Sequence, residues 1–338
     1  MLQFRKAITL SLLSLLPSSA PSQQISSLQP FRPGPSIPGT IRCWGSPQMA
    51  PLLSMWEDGF HRFHPEIAFA DNLKSTVSAI AGVYTGVADL GVLGRTIWPT
   101  ETVAYQTVTG LPPIGIEVAT GSFDEPKATF ALGIFVHHTN PLARLTTSQL
   151  EAILREDVPG SIRTWSQLGL AEPFGSHPIT PYIFDHENDK IIFLQNAILH
   201  GSHHLNRGVR EFENATSSDQ RSIDAGEAIL TALAHDPYGI AISNTHYANP
   251  DVKLIALATT SGGPYVLPTP VTVQAHTYPL TRTVAIYPAR TPDGKISPLA
   301  AEFLRYILSR EGQADVTSEA EYLPLPPALA QASLDRLK

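Results

Sequence analysis

A cluster of polar residues at positions 185–189 is the part of this sequence best placed to bind a ligand. It reads Asp-His-Glu-Asn-Asp and offers three carboxylates, an imidazole and an amide. An apolar run precedes it, and a helix is expected to begin near Asn188, because apolar residues recur at helical spacing at Ile191, Leu194 and Ile198. Ligands of α/β proteins often bind where a strand passes through a polar loop into a helix. We therefore expect this loop to face a binding cleft.

Motifs for common catalytic and cofactor chemistry are absent. The sequence contains no G-x-S-x-G, G-x-x-x-x-G-K-[ST], G-x-G-x-x-G or H-E-x-x-H. His200 and His204 have the spacing of two ligands on one helical face, but Gly201 between them argues against a continuous helix. Nothing marks Asp185 and Glu187 as an acid/base pair. We expect no enzyme activity, no metal site and no cofactor.

Length and composition indicate a globular protein of about two domains. The chain has 338 residues, of which 43% are hydrophobic and 16% charged. The net charge is −7 and no basic block stands out, which argues against a nucleic acid partner.

The N-terminus has the features of a secretory signal. Arg5 and Lys6 precede the apolar run 7–16, and small residues follow at Ser18 and Ala20, so residues 1–20 are expected to be cleaved. The only cysteine is Cys43, which leaves no lipid attachment site after the apolar run and no intrachain disulfide. We expect a soluble protein in the periplasm or outside the cell. Residues 21–40 are rich in Pro, Ser and Gln and are expected to form a flexible linker.

The remaining chain alternates strand and helix patterns. A βαβαβ pattern begins at Thr40, and a second α/β unit begins with the apolar strand 128–138. The segment 146–149 has the spacing of a capping box. The strand expected in 278–289 could return the chain to the first unit. One amphipathic helix is expected from position 297, with Gly312 as its stop.

Five segments, taken together, resemble the phosphate-binding protein family, the PstS-related periplasmic solute receptors of ABC importers. The most specific are ADLGVLGR, PGSIRTW and YPLTRTVAIYP, and their order matches over roughly residues 41–326. The resemblance implies an α/β fold of the two-lobed, type II periplasmic binding protein class, with two hinge crossings and a ligand cleft between the lobes. It places lobe 1 at 41–124 and 282–338, and lobe 2 at 125–281.

The resemblance also implies which residues bind the anion. The loop after the first strand would contact it, and so would the start of the second helix and two residues near the third strand. Asp89 is expected at the end of that strand. These positions are Gly45, Ser46, Pro47, Gln48, Lys74, Ser75, Thr76, Asp89 and Arg95.

The polar loop 185–189 departs from the family pattern. Family members have an Arg and then Ser-Gly-Thr here, and this chain has neither. Three carboxylates beside an oxyanion would repel it. If His186 and Asn188 turn inward and the acids turn away, an oxyanion can still bind. If the acids turn inward, the ligand is neutral or cationic, or the cleft no longer binds a solute.

Three functions follow as hypotheses. The first is a monomeric receptor that captures phosphate or a similar small oxyanion and delivers it to an ABC transporter permease. The second is a diverged binding or sensing module for a different ligand or a protein partner. The third is a secreted hydrolase, for which no nucleophile motif is present.

Overall fold

The protein is described by a computed structural model that covers residues 25–35, 37–217 and 219–338. The expected signal segment, residues 1–20, lies outside the described residues. The strands are β1 Gly39–Gly45, β2 Ile67–Asn72, β3 Leu90–Val92, β4 Ile116–Thr120, β5 Gly133–His137, β6 Arg144–Thr146, β7 Thr180–Phe184, β8 Arg210–Phe212, β9 Ala215–Thr216, β10 Ser222–Ile223, β11 Gly239–Ser243, β12 Val252–Leu254, β13 Ala256–Ala258 and β14 Thr283–Pro288.

The helices alternate with these strands through much of the chain. They are α1 Ala50–His61, α2 Ser78–Tyr84, α3 Pro99–Thr109, α4 Thr147–Leu154, α5 Asp189–Ala197, α6 Ala225–Leu233, α7 Pro270–Gln274, α8 Pro298–Ile307, α9 Arg310–Glu319 and α10 Pro327–Asp335. Short 3-10 turns at Pro47–Met49, Trp165–Leu168 and Thr245–Tyr247 complete the set.

Two five-stranded sheets define two lobes. The first sheet has the order β2-β1-β3-β14-β4, and the second has the order β12-β5-β11-β7-β8. In the first sheet β1 pairs in parallel with β2 and β3, as the βαβαβ pattern predicts. Each sheet has its own hydrophobic core, because each buries an apolar face under helices. We call the first sheet and its helices the first lobe, and the second sheet and its helices the second lobe.

The chain crosses between the lobes twice. After β4 it passes through residues 121–132 to β5, and it returns through residues 278–282 to β14. The two crossings run side by side, since the backbone N–H of Gly121 donates to the carbonyl oxygen of Arg282 at 2.8 Å. β14 then pairs antiparallel with β3 and β4. The expected return of the chain to the first unit is confirmed, and with it the two-lobed α/β fold.

The N-terminal segment packs against the first lobe. Leu28 and Phe31 are buried, and the ring of Phe31 meets the ring of Tyr306 edge-on at 5.3 Å. Phe31 also donates its backbone N–H to Glu311 at 2.6 Å. The expectation of a flexible linker does not describe residues 25–35, because their apolar side chains find a core partner.

The C-terminal region differs from the single helix expected from the sequence. Two helices, α8 and α9, replace it. Ser309 separates them and caps α9, its hydroxyl accepting a hydrogen bond from the backbone N–H of Gly312 at 3.3 Å. Gly312 lies within the first turn of α9 and accepts a hydrogen bond from the indole of Trp56. The expected stop at Gly312 was wrong, because a hydroxyl cap two residues after α8 starts a new helix there. Among the described residues, no helix is long and apolar enough to cross a membrane.

Candidate interlobe anion site

The loop after β1 forms the first-lobe wall of the site. Ser46 is buried, its backbone N–H donates to the carbonyl oxygen of Val92 at 2.8 Å, and its hydroxyl donates to the side chain of Gln48. Pro47 begins the 3-10 turn that leads into α1, with Ser46 as its N-cap. Gly45 is required by the close approach of β3, since a Cβ there would lie 1.9 Å from the carbonyl oxygen of Val92. The carboxyl ends of β1 and β3 are therefore held together.

The loop after β3 joins this wall to the second lobe. Gly94 has φ +63° and lies against Ser46, since a Cβ on Gly94 would be 3.5 Å from the Cβ of Ser46. The hydroxyl of Thr129, on the first crossing, donates to the carbonyl oxygen of Gly94 at 2.5 Å. The next residue, Phe130, belongs to the core of the second lobe. Ser46, Gly94 and Thr129 therefore meet where the two lobes touch.

The loop after β2 lies beside the first wall. The backbone N–H of Ser75 donates to the carbonyl oxygen of Gly45 at 3.1 Å. Lys74 and Ser75 are exposed, and Thr76 is half-buried. This loop is therefore adjacent to the Ser46 loop.

Asp89 does not end the third strand. It precedes β3, which begins at Leu90, so it lies at the amino end of the strand and the Ser46 loop lies at the carboxyl end. Its carboxylate is held by the guanidinium of Arg42, with Nε–Oδ2 at 2.9 Å and Nη2–Oδ1 at 2.8 Å. The expected position was wrong because the strand starts one residue after the acid. Burial alone would raise the pKa of Asp89, but the hydrogen bonds and charge of Arg42 outweigh burial and lower it.

Arg95 lies at the edge of the site and is fully engaged by its neighbours. Its guanidinium forms a two-pronged ion pair with Glu101, at 2.6 Å and 2.9 Å, and stacks over the ring of Trp98 at 4.2 Å. Arg95 therefore anchors the start of α3 rather than pointing a free charge into the cleft.

The start of α5 supplies the second-lobe wall. Asn188 is the N-cap, as expected, and its side-chain oxygen accepts from the backbone N–H of Lys190 and from its ammonium group, each at 3.2 Å. His186 is 70% exposed at its side chain, and its Nδ1 lies 3.0 Å from Glu211. Asn188 is therefore at the site, and the His186 ring points to a surface partner instead.

Asp189, the first residue of α5, has its carboxylate between two cations. Its Oδ2 pairs with the guanidinium of Arg282, and its Oδ1 lies 3.3 Å from the ammonium of Lys190. The side chain of Arg282 is only 1% exposed and that of Asp189 is 15% exposed. Burial alone would raise the pKa of Asp189, but the charges of Arg282 and Lys190 outweigh it and hold that pKa well below its usual range.

Arg282 connects both lobes at this point. Its Nη2 also lies 3.5 Å from the hydroxyl of Thr96, in the loop after β3, and its guanidinium lies over the ring of Phe193 at 5.5 Å. The Nε of Arg282 is buried and has no hydrogen-bond partner among the described residues. Sequence reasoning missed Arg282 because it lies inside an apolar strand segment. The sequence did contain a signal for it, because Arg282 is the single charged residue of the segment YPLTRTVAIYP.

The structure thus brings together only part of the expected set. Ser46 and Asn188 lie at the interlobe junction, with Gly45, Pro47 and Gln48 in the same loop as Ser46. Lys74, Ser75 and Thr76 border it. Asp89 and His186 are held by partners elsewhere, and Arg95, at the edge of the site, is held by Glu101. The cationic groups at the junction are Arg282 and Lys190, and the ammonium of Lys190 also lies 5.1 Å from the ring centres of Phe130 and Phe184.

Within the described part of the chain, one cluster of residue types that can bind metal occurs away from the junction. Ligand atoms of Cys43, Glu57 and Asp71 lie within 4.8 Å of one another. Burial and the neighbouring Asp71 raise the pKa of Glu57 to about 8, and burial raises the pKa of the Cys43 thiol well above its usual value. Both shifts favour the protonated forms of Glu57 and Cys43, which bind a metal ion less well than the ionised forms.

Comparison with known proteins agrees with this geometry. A family model described as a PBP superfamily domain matches residues 32–311. The chain belongs to the PBP superfamily. The match includes both sheets and both crossings, and therefore the whole interlobe junction.

Named relatives of this PBP superfamily member include phosphate-binding proteins. The chain is 27% identical to the phosphate-binding protein PstS of Pseudomonas aeruginosa over 316 residues, which is 92% of this chain and 91% of that protein. It is 24% identical to protein SphX of Synechococcus elongatus, over 96% of this chain and 88% of that protein.

Solved structures with the same fold support the two-lobed architecture. PstS from Borrelia burgdorferi aligns with a TM-score of 0.54 at 15% identity, covering 85% of this chain and 99% of that one. An ABC-type phosphate transport receptor from Vibrio cholerae aligns with a TM-score of 0.52 at 18% identity, covering 84% and 99%. These likenesses establish the fold of this PBP superfamily member.

Proposed function

We propose that this protein is a periplasmic or secreted substrate-binding protein that captures phosphate or a similar small oxyanion between its lobes for an ABC importer. The observation that carries the proposal is the position of Arg282 and Lys190, two cations at the interlobe junction beside the N-terminus of α5. The likeness to PstS of Pseudomonas aeruginosa supports phosphate as the first ligand to test.

The chemistry of the junction suits an oxyanion. Arg282 is buried, so its charge is weakly screened, and a planar guanidinium can donate two parallel hydrogen bonds to an oxyanion. The N-terminus of α5 adds the positive end of the helix dipole. Ser46 and Thr129 bring hydroxyls from the facing loops. An anion that binds more tightly to the closed form would shift the population from the open form to the closed form.

The proposal describes a binding protein and not an enzyme. It includes the lobe boundaries expected from the sequence, 41–124 with 282–338 and 125–281, and the distribution of strands between the two sheets supports them. We propose that the protein acts as a monomer and passes its ligand to a permease.

Calorimetry and thermal shift in phosphate-free buffer test the proposal. Phosphate is expected to raise Tm, because a ligand at a hundred times its Kd stabilises the folded state by about 2.7 kcal/mol. Arsenate, sulfate and molybdate define the specificity. Lys190→Gln should weaken binding and Arg42→Gln, which removes an arginine that is paired with Asp89 instead of Asp189, should not. No response to any of the four anions at millimolar concentration would contradict the proposal.

A second candidate function has one observation in its favour. The pairing of Asp189 with Arg282 puts a carboxylate where an anion would bind. A diverged binding or sensing module with a different ligand would explain this arrangement. It predicts that phosphate leaves Tm unchanged while a cationic or neutral solute raises it.

A further inference from the structure

The Asp189 carboxylate has the surroundings of a bound anion. It lies at the N-terminus of α5, a nine-residue helix, where the helix dipole favours negative charge. Arg282 and Lys190 approach its two oxygens separately. A carboxylate and a phosphate oxygen pair make the same kind of two-pronged contact with a guanidinium. Asp189 therefore uses the groups that the proposed function assigns to the ligand.

Arg282 is not fully satisfied by this carboxylate. Its Nε is buried without a hydrogen-bond partner among the described residues, and its Nη2 reaches both Asp189 and, at 3.5 Å, Thr96. A carboxylate on a short side chain contacts one end of the guanidinium here. A tetrahedral oxyanion has additional oxygens that can accept from a second N–H. The unused donor is an observation independent of the helix terminus, and it too indicates an anion.

The pair also joins the two lobes. Asp189 belongs to the second lobe through α5, and Arg282 leads directly into β14 of the first sheet. Thr96 of the first lobe lies on the other side of the same guanidinium. Separating the lobes would break this contact and leave a buried arginine without its carboxylate.

We propose that Asp189 is a built-in ligand of the interlobe anion site, which an incoming oxyanion must displace from Arg282 and Lys190. This inference rests on the proposed function and adds the residue that sets its affinity. With Asp189 ionised, the side chains of Arg282, Lys190 and Asp189 carry a net charge of +1. Without the Asp189 carboxylate, the net charge is +2. An oxyanion therefore competes with an internal carboxylate and also meets its repulsion. The depressed pKa of Asp189 keeps the competitor charged at neutral pH.

Calorimetric titration with inorganic phosphate and with sulfate tests the inference. The proteins are wild type, Asp189→Ser, Asp189→Asn and the control Glu187→Gln. Asp189→Ser removes the charge and leaves room, while Asp189→Asn keeps the shape. Glu187→Gln makes the same charge change in the same loop, where Glu187 is exposed. We expect Asp189→Ser to bind phosphate at least about tenfold more tightly than wild type, and Glu187→Gln to match wild type within about threefold.

The outcomes separate the inference from the function it rests on. If wild type binds phosphate and Asp189→Ser binds equally or less tightly, the inference is wrong and the proposed function stands. If Asp189→Ser binds and wild type does not, the inference stands and phosphate capture by the wild type fails. If no protein binds at millimolar anion, both fail. An equal gain in Glu187→Gln overturns the inference, because a general charge effect would explain it. Should Asp189→Ser not fold, Asp189→Asn gives the same comparison.

Discussion

Two arginine–aspartate pairs of this protein have the same chemistry and different roles. Arg42 lies on β1 and Asp89 lies just before the neighbouring parallel strand β3, with 42% and 26% of their side chains exposed. Arg282 and Asp189 come from different lobes, with 1% and 15% exposed. The first pair ties β1 to the start of β3. The second pair connects the lobes at the place where a ligand is expected.

Burial and position, rather than the residue types, decide what each of these ion pairs does. A solvent-exposed pair contributes at most about 1 kcal/mol, since water screens it and also solvates each partner alone. Breaking a buried pair leaves a charge that water cannot reach, which costs about 3–5 kcal/mol. Only the buried pair can therefore hold the lobes and respond to a competing anion.

The largest effect is expected from removing the arginine of each pair. Arg282→Gln should lower the free energy of unfolding by about 3 kcal/mol, because the largely buried carboxylate of Asp189 would keep only one of its two cationic partners, Lys190. Arg42→Gln should lower it by less than about 1 kcal/mol. Urea unfolding without phosphate measures both. Equal losses would mean that the two pairs have the same energetic role.

The coupling energy of each pair separates the ion pair from other losses. A double-mutant cycle with Arg282→Gln and Asp189→Asn should give about 2 kcal/mol, and one with Arg42→Gln and Asp89→Asn less than about 1 kcal/mol. The buried pair couples more strongly because its charges are less screened. A coupling for the buried pair no greater than that for the exposed pair would contradict this view.

Acid should destabilise the protein through both aspartates, and Asp189 should contribute more. Each has a folded-state pKa below its unfolded value of about 3.9, so its contribution is present above that pH and is lost as the pH falls. Below about pH 4, Asp189 is protonated in the unfolded state while it is still charged in the folded state. Each pH unit in which this difference holds lowers the free energy of unfolding by about 1 kcal/mol. Asp189→Asn should therefore flatten the curve of unfolding free energy between about pH 4 and pH 2 more than Asp89→Asn does. A larger change in Asp89→Asn would reverse the comparison.

The smallest effect is expected at His186, which belongs to the same loop as Asp189. Its ring pairs with Glu211 in solvent, and this hydrogen bond raises the pKa of His186. His186→Ala should leave Tm and phosphate affinity unchanged between pH 6 and pH 8, as measured by thermal shift and calorimetry. A clear loss of phosphate affinity would mean that His186 contacts the ligand and that its role resembles that of Asp189.

Local patterns of the sequence predicted several elements correctly. Asn188 caps α5 and the segment 146–149 forms the capping box of α4, because these signals act over one turn of helix. The return of the chain at β14 followed from an apolar strand pattern late in the sequence. The buried packing of Leu28 and Phe31 was missed, since a segment rich in Pro and Ser gives no indication that two apolar side chains will find a distant core.

The candidate site was predicted in part for the same reason. Ser46 was named from the family resemblance, whereas Asn188 was named from the helical spacing of the residues that follow it, which is a local signal. Asp89 was misplaced by one strand length, because the sequence does not mark which end of a short strand an acid occupies. Arg282 was not identified, since its partner lies 93 positions earlier in the chain.

The sequence alone determined the α/β alternation, the caps of individual helices and the resemblance over most of the chain. Those features depend on neighbours within a few residues, so the order of residues contains them. Local patterns do not contain the information about which acid of the loop 185–189 turns inward and which arginine it meets. That choice depends on two lobes burying charges from distant segments in one place, where loss of water makes the pairing of Asp189 with Arg282 strong.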